Sequence, residues 1–492
     1  MDSLRQIIFG QNGDAAIDAE LPLATEIDRA HLVMLSEAAI VGEDRVWAIL
    51  HEIARLRGSD FAPLRGRPAP RGLYILYETY LINLLGPEIG GVLQTARSRN
   101  DLKATLLKMR LRRPVHKLLG EALRLQAVLL RRASRFDHVI MPAYTHSQAA
   151  LPISYGHYLA GVAGALDRHI GAFLGNAADL DRCPLGAGAV GGTSLPIDSV
   201  RTAALLGFTE AVSHSIDAVA SRDLVLRLLA EAAILGILLS RVATDLLQWM
   251  TREFSFLELP DALVGLSSMM PQKRNPFFLE HVQGRSTAAL GALVAAGTAM
   301  HAQPFTNSIS VGTEAVEHIW SALGGATDSL VLLRTVIAAA RPQPGNMHTR
   351  AVSGYTEATE LANRLVTRKG MAFRTAYEMV GSIVRKADSA LEPLSVAAAR
   401  AFGDEDPELC TGLDPQSIAS ASCFGGGPGA TSEYVRHLQM RWGAYMKRNS
   451  EWARQWLRAR NALDAAVEKI YARLHGREMA HAGAPLYKEE LT

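Results

Sequence analysis

Between Asp223 and Met250 the chain reads DLVLRLLAEAAILGILLSRVATDLLQWM, with no proline and a single glycine. As one helix this run would be about 42 Å long at 1.5 Å per residue. Its apolar residues go most of the way round, so such a helix must be buried in a bundle or between subunits. Ser240, Arg241 and Asp245 interrupt it. A buried arginine without a partner is costly, so Arg241 is expected to meet a carboxylate, either the protein's own or a ligand's.

The rest of the 492 residues fits the same architecture. Aromatic residues are only 6% of the chain, and the abundance of Ala, Leu and Val favours closely packed helices over a β-sandwich. A second helix is expected from Pro114 to about Arg135, with the proline in its first turn. A third is expected from Pro276 through Met300, rich in small residues that let neighbours approach. Strand signals are weak and short. The expected fold is mainly α, a three-domain subunit built on a bundle of long helices. Residues 1–107 form an N-terminal helical part, 108–365 the bundle, and 366–492 a C-terminal helical part.

A formal charge of +2 points to neither nucleic acid nor an anionic membrane surface. Cys183, Cys410 and Cys423 match no metal spacing and no even-numbered disulfide framework, so a reducing compartment is expected. The opening MDSLRQIIFGQNG lacks the basic and apolar regions of a secretory leader. The longest uncharged apolar run, 286–300, is shorter than the roughly 18 residues of a spanning helix. A cytoplasmic protein without metal or cofactor is the expectation.

Three polar islands stand out against this apolar background: TARSRND at 95–101, MPAYTHSQAALPISYGHYLAG at 141–161, and SSMMPQKRNP at 267–276. In the first, Ser98, Asn100 or Asp101 can cap the following helix. The same geometry makes a carboxylate site from Ser98, Asn100 and free backbone N–H groups, with Arg97 or Arg99 adding charge. In the second, Thr145, His146 and Gln148 form either a turn between helices or an anion donor beside a proton-handling histidine. In the third, Pro271 and Pro276 forbid a regular helix. Lys273 and Asn275, two apart, face one side of an extended chain and suit the two oxygens of a carboxylate. Ser267, with Ser268 and Met270 beside it, can then bring an oxygen near the adjacent carbon. Its alkoxide would need a cation, backbone N–H groups or a dry site. Glu280, one turn into the next helix, is placed to set the tautomer of a histidine. No Gly-x-Ser-x-Gly elbow accompanies the serines, which argues against a hydrolase triad.

In this order and at these separations the three islands resemble the fumarase/aspartase superfamily, and within it the argininosuccinate lyases. LSSMMPQKRNP is similar to the signature Gly-Ser-Ser-x-Met-Pro-x-Lys-x-Asn-Pro, TARSRND to Thr-Gly-Arg-Ser-Arg-Asn-Asp with one change, and YTHSQ to Tyr-Thr-His-x-Gln. PLGAGAVGGTSLPID at 184–198, LLSRVATDLL at 238–247 and RKGMAFRTAYEMVG at 368–381 also resemble that family. The likeness runs from about Asp28 to FGGGPG at 424–429. It implies a homotetramer whose active sites each draw on three subunits, and a reversible β-elimination that releases fumarate by breaking a C–N bond. By position it makes Ser267 the base. Lys273 and Asn275 hold the carboxylate that becomes an aci-carboxylate. Ser98, Arg99, Asn100 and Thr145 grip the fumarate portion, His146 pairs with Glu280, and Arg241 lies near the substrate.

The departures from the pattern carry information too. The signature glycine is Leu266, which would stiffen the loop that carries Ser267. The family's histidine in Asp-Ile-His-x-x-x-Glu is Tyr74 here, with Glu78 retained, and its N-terminal Trp-Gly-Gly-Arg-Phe is missing. Argininosuccinate lyases hold the arginine end with Tyr-Asn…Gln-Glu-Asp-Lys. The corresponding AQPFTNSISVGTEAVEH, 302–318, keeps only Asn307 of this. The resemblance therefore implies an intact fumarate half and a rewritten leaving-group half, as in lyases of ethylenediamine-disuccinate-type aminopolycarboxylates. Argininosuccinate is the alternative substrate. A non-catalytic structural relative, like the lens crystallins of this superfamily, is the rival of another class.

Overall fold

The computed structural model describes residues 14–482, with side chains to residue 473. The opening segment read for a leader, residues 1–13, lies outside these residues. The chain is mainly helical, and among the described residues its strands form three two-stranded antiparallel sheets.

The Asp223–Trp249 helix forms as its sequence requires. Leu228, Leu229, Ala232, Leu235, Leu239 and Leu246 enter one central core with residues of the Arg99–Arg135, Tyr155–Asn176 and Ile319–Ala339 helices. Gly236 has a packing role: a Cβ there would lie 2.6 Å from the Ser286 carbonyl oxygen. Glycine lets the backbone of the 277–300 region press directly against the long helix. That region is two helices, Phe277–Ser286 and Ala288–Met300, meeting at Thr287. The expected single helix is broken there, and the Thr287 hydroxyl donates to the Gly284 carbonyl at 2.8 Å.

The expected helix start at Pro114 is also corrected. One helix of 37 residues runs from Arg99 to Arg135 with Pro114 inside it. Proline removes one hydrogen bond and disfavours a helical residue before it. Burial on both sides, at Leu102, Met109, Leu111, Val115 and Leu118, outweighs that local cost. The Ile309–Ala339 stretch is long and apolar enough to cross a membrane, but half of its most apolar window is buried inside the protein. Leu323, Leu330, Leu333 and Ile337 belong to the central core.

A second core gathers the N-terminal helices, and a third the Ala358–Lys369, Phe373–Ala390 and Leu394–Phe402 helices. The last helix, from Thr431, leaves the third core behind. It sends Val435, Leu438 and Trp452 into the central core and Leu463, Val467 and Ile470 into the N-terminal one.

Candidate active site

The SSMMPQKRNP loop is closed at its base by a strand pair, Gly265 opposite Asn275 and Leu266 opposite Arg274. Arg274 anchors this base by bonding the Asp261 carboxylate and donating to the Leu259 carbonyl at 3.0 Å. Leu266, at the position of the family glycine, is 80% exposed and takes strand conformation without cost. Inside the loop, Ser267 Oγ accepts from the backbone N–H groups of Met269 at 3.3 Å and Met270 at 3.0 Å. Fixed N–H dipoles aimed at one oxygen favour negative charge on it. Of the three supports open to a serine alkoxide, the loop therefore supplies backbone N–H groups. Ser268, Met270 and Lys273 are exposed, and Ser267 and Asn275 half-buried. Lys273 also borders a cleft of about 590 Å³ shared with Met250, Glu253, Leu257 and Leu259.

At TARSRND the capping and binding readings share the same residues. Ser98 is the N-cap of the 37-residue helix: its Oγ accepts from the Asn100 N–H at 3.3 Å, and its own N–H donates to Asp101 Oδ1 at 3.0 Å. This reciprocal capping box satisfies two free donors of the first turn. Asp101 Oδ2 accepts from Gly186 and Gly188, at 3.1 and 2.9 Å, so the PLGAGAV segment is tied to the helix start. Burial pushes the Asp101 carboxyl up, while these backbone N–H bonds pull it down. The two arginines divide their work. Arg97 is internal: its guanidinium bonds Asp28 at 2.6 Å and the Tyr74 hydroxyl. The expectation that Arg97 could add charge to a ligand is thereby corrected, and Tyr74, replacing the family histidine, belongs to this buried group. Arg99 is exposed. Ala96 holds φ 57°, a left-handed conformation that the glycine of the family pattern adopts more readily. Asn100 reaches outward, donating to the Ala189 carbonyl at 3.1 Å and accepting from Asn307 at 2.9 Å.

The expected turn between helices at YTHSQ is instead the tip of a β-hairpin, Ile140–Thr145 against Gln148–Ser154. Thr145 pairs with Gln148 across a two-residue loop. That loop holds His146 at φ 51° and Ser147 at φ 61°. Two consecutive left-handed residues are what a tight hairpin of this twist needs, a place usually taken by Asn-Gly. Non-glycine residues held there carry strain of the kind found at functional sites. Thr145, His146 and Gln148 are all exposed.

Arg241 is exposed on the Asp223–Trp249 helix, so the expectation of a buried cation there is corrected. Asp245 accepts instead from the Tyr158 hydroxyl at 2.7 Å. Within one chain, and among the described residues, no hydrogen bond or ion pair joins Ser267, His146 and Ser98, and none joins His146 to Glu280, which is exposed. The contact within one chain joins Asn100 to Asn307. Sequence reading missed the two N–H groups at Ser267, which depend on loop conformation.

Comparison with known proteins gives this arrangement its class. Residues 75–291 match the family model described as lyase, and residues 355–418 match the argininosuccinate lyase C-terminal family. The argininosuccinate lyase of Methanothrix thermoacetophila is 34% identical over 454 residues, covering 90% of this chain and 91% of that one. That of Geobacillus kaustophilus is 36% identical over 356 residues, 72% of this chain and 77% of the other. Among solved structures, a variant of EDDS lyase with bound fumarate superposes with a TM-score of 0.83 at 28% identity, covering 92% of both chains. The class II fumarase of Schistosoma mansoni shares the fold, with a TM-score of 0.67 at 16% identity, over 82% of this chain and 90% of the other. The protein is a carbon–nitrogen lyase by class. More particularly, the chain belongs to the fumarase/aspartase superfamily, in its argininosuccinate lyase-like branch.

Proposed function

We propose that this lyase eliminates an amine from an N-substituted aspartate to release fumarate, the amine being other than arginine. The observation that carries the reading is Ser267 Oγ under two backbone N–H groups in a loop pinned at its base. Ser267, as alkoxide, removes the proton from the carbon next to a substrate carboxylate. Lys273 and Asn275 hold that carboxylate as it takes up the electron pair. Charge-assisted bonds that strengthen as charge develops lower the barrier most. Collapse of the aci-carboxylate forms the C=C bond and breaks the C–N bond. His146, oriented by Glu280, gives the proton to the departing nitrogen. Ser98, Arg99, Asn100, Thr145 and Gln148 hold the remaining carboxylate, with Ser268, Met270 and Arg241 around them. No metal or cofactor takes part in this scheme.

The three islands would meet through assembly. Four copies would supply each site from three chains. Exposed Ile234 and Ile237 on the long helix and Leu290 and Val294 on the neighbouring one offer an apolar face that a second copy would cover. We read 1–107, 108–365 and 366–492 as three domains along the chain, with the helix from Thr431 packing back on the central and N-terminal cores. The solved EDDS lyase favours an aminopolycarboxylate, as does the altered 302–318 segment. The curated relatives favour argininosuccinate, which remains the second reading.

Incubation with fumarate and a panel of amines, following loss of fumarate absorbance, tests the proposal, and argininosuccinate cleavage is assayed in parallel. Uptake of a non-arginine amine supports it. Cleavage of argininosuccinate alone would shift the assignment to the second reading, and inertness in both assays would favour a structural protein.

A further inference from the structure

The C-terminal end of the Arg99–Arg135 helix borders a cleft of about 430 Å³. Arg132, Arg135, His138 and Arg341 line it, and among the described residues no aspartate or glutamate does. Arg132 is the buried member, 8% exposed. Its Nη1 donates to the Ala338 carbonyl at 2.9 Å and its Nη2 to the Ala340 carbonyl, where the Ile319–Ala339 helix ends. Its buried Nε meets no acceptor. Helix C-termini carry partial negative charge, and Arg132 sits at two of them, its own and that of Ile319–Ala339. That accounts for one guanidinium. Arg135, His138 and Arg341 are exposed and remain to be explained.

Among the described residues none of these four cationic side chains forms an ion pair. The acidic residues beside them bond elsewhere. Asp137 accepts from the Ser154 and Ser432 hydroxyls at 2.9 and 3.3 Å. Glu258, opposite Arg341 in its strand pair, accepts from Gln343 Nε2 at 3.2 Å. Phe136 holds two of the cations together: the guanidinium carbons of Arg132 and Arg135 lie 4.7 and 5.3 Å from its ring centre. Burial lowers the pKa of Arg132, and the charges of Arg135 and Arg131 act in the same direction against Tyr155. A guanidinium stacked on a ring keeps its N–H edge for an acceptor, and among the described residues the Arg135 side chain makes no hydrogen bond. A cleft walled by one sign of charge concentrates ions of the other sign.

We propose that this cleft is a phosphate-binding site, in which Arg135 and Arg341 donate to the oxygens of inorganic phosphate or of a small phosphate monoester, with His138 beside them and Arg132 behind. Guanidinium forks match phosphate oxygens in pairs, and a dianion answers more than one of the surplus charges. The site uses none of the residues assigned to elimination and does not depend on the lyase reading. Its place in the fold is the root of the hairpin: Phe136, His138 and Val139 lead directly into the Ile140–Thr145 strand that carries Thr145.

Isothermal titration of the full-length protein with inorganic phosphate, and separately with glycerol 3-phosphate, tests this, with ionic strength held constant by sodium chloride. Saturable binding of one anion per chain is expected, and the tighter of the two probes identifies the source of the phosphate. R135Q and R341Q should each weaken binding by roughly tenfold or more, the worth of a charge-assisted hydrogen bond. R341Q lies outside the helix and covers the case in which R135Q disturbs its C-terminus. K273M should bind as the wild type does, which separates the cleft from the candidate active site. The inference would be overturned by no saturable binding of either anion, by unchanged affinity in R341Q and folded R135Q, or by loss of binding in K273M.

Discussion

Asn307 Nδ2 donates to Asn100 Oδ1 at 2.9 Å, linking the altered 302–318 segment to the start of the Arg99–Arg135 helix across 207 residues of chain. Asn100 completes its bonding through Nδ2 to Ala189, so its orientation depends on both neighbours. Asn307→Ala leaves the helix cap intact, because Ser98 and Asp101 form it without Asn307. The variant should keep its melting temperature within a few degrees. It should raise KM for the amine more than for fumarate, by about tenfold, the worth of one hydrogen bond. Steady-state addition kinetics with each substrate varied in turn check this. An equal rise for both substrates would place Asn307 on the fumarate side instead.

Among the described residues Ser267 Oγ makes no hydrogen bond beyond its own loop, where it accepts from Met269 and Met270. Replacing it with alanine should not disturb the strand pair at the loop base. Ser267→Ala should lower the elimination rate by roughly 10²–10⁴, the range for loss of a positioned proton-transfer group. The circular dichroism spectrum and the oligomer size should not change. Near-normal turnover in the folded variant would remove Ser267 as the base.

How far these features could be read in advance depended on the range of the interactions behind them. The Asp223–Trp249 helix was legible to within a residue because its apolar periodicity is local. The Arg99–Arg135 helix is not legible across Pro114, because proline's local preference opposes it and only burial on both sides decides. The hairpin at 140–154 was hidden by Pro142 and Pro152, which face each other across its strands and argue against strand by propensity. In the site, the residue types of the loop were legible. The N–H groups that act on Ser267 belong to backbone conformation and leave no mark in the letters.

The Arg97–Asp28 pair is almost wholly buried, with side chains 1% and 0% exposed, and Tyr74 bonds both partners. Asp28→Asn removes the counter-charge and leaves the guanidinium buried, at a cost of about 3–5 kcal/mol. Tyr74→Phe removes only a hydroxyl and should cost roughly 1–3 kcal/mol. Urea denaturation of the two variants should show that order. A milder Asp28→Asn would mean that Arg97 finds solvent or another acceptor.

His31 lies beside this pair, 2% exposed, with its Nε2–H donating to the Thr95 carbonyl at 2.8 Å in the neutral form. Burial, reinforced by the Arg97 charge, lowers its pKa from 6.5 to about 3. Between those values the unfolded chain binds a proton that the folded chain refuses. Stability is therefore full above pH 6.5 and falls as the pH drops towards 3, by about 1.4 kcal/mol per unit. From pH 6.5 to pH 5 the contribution of His31 should fall by roughly 2 kcal/mol. His31→Gln keeps an amide donor for Thr95 and does not titrate. Its urea midpoint should therefore lose less between pH 7.5 and pH 5 than that of the wild type. Parallel losses in the two proteins would show that His31 takes up its proton without unfolding, through a local opening that brings water to the ring.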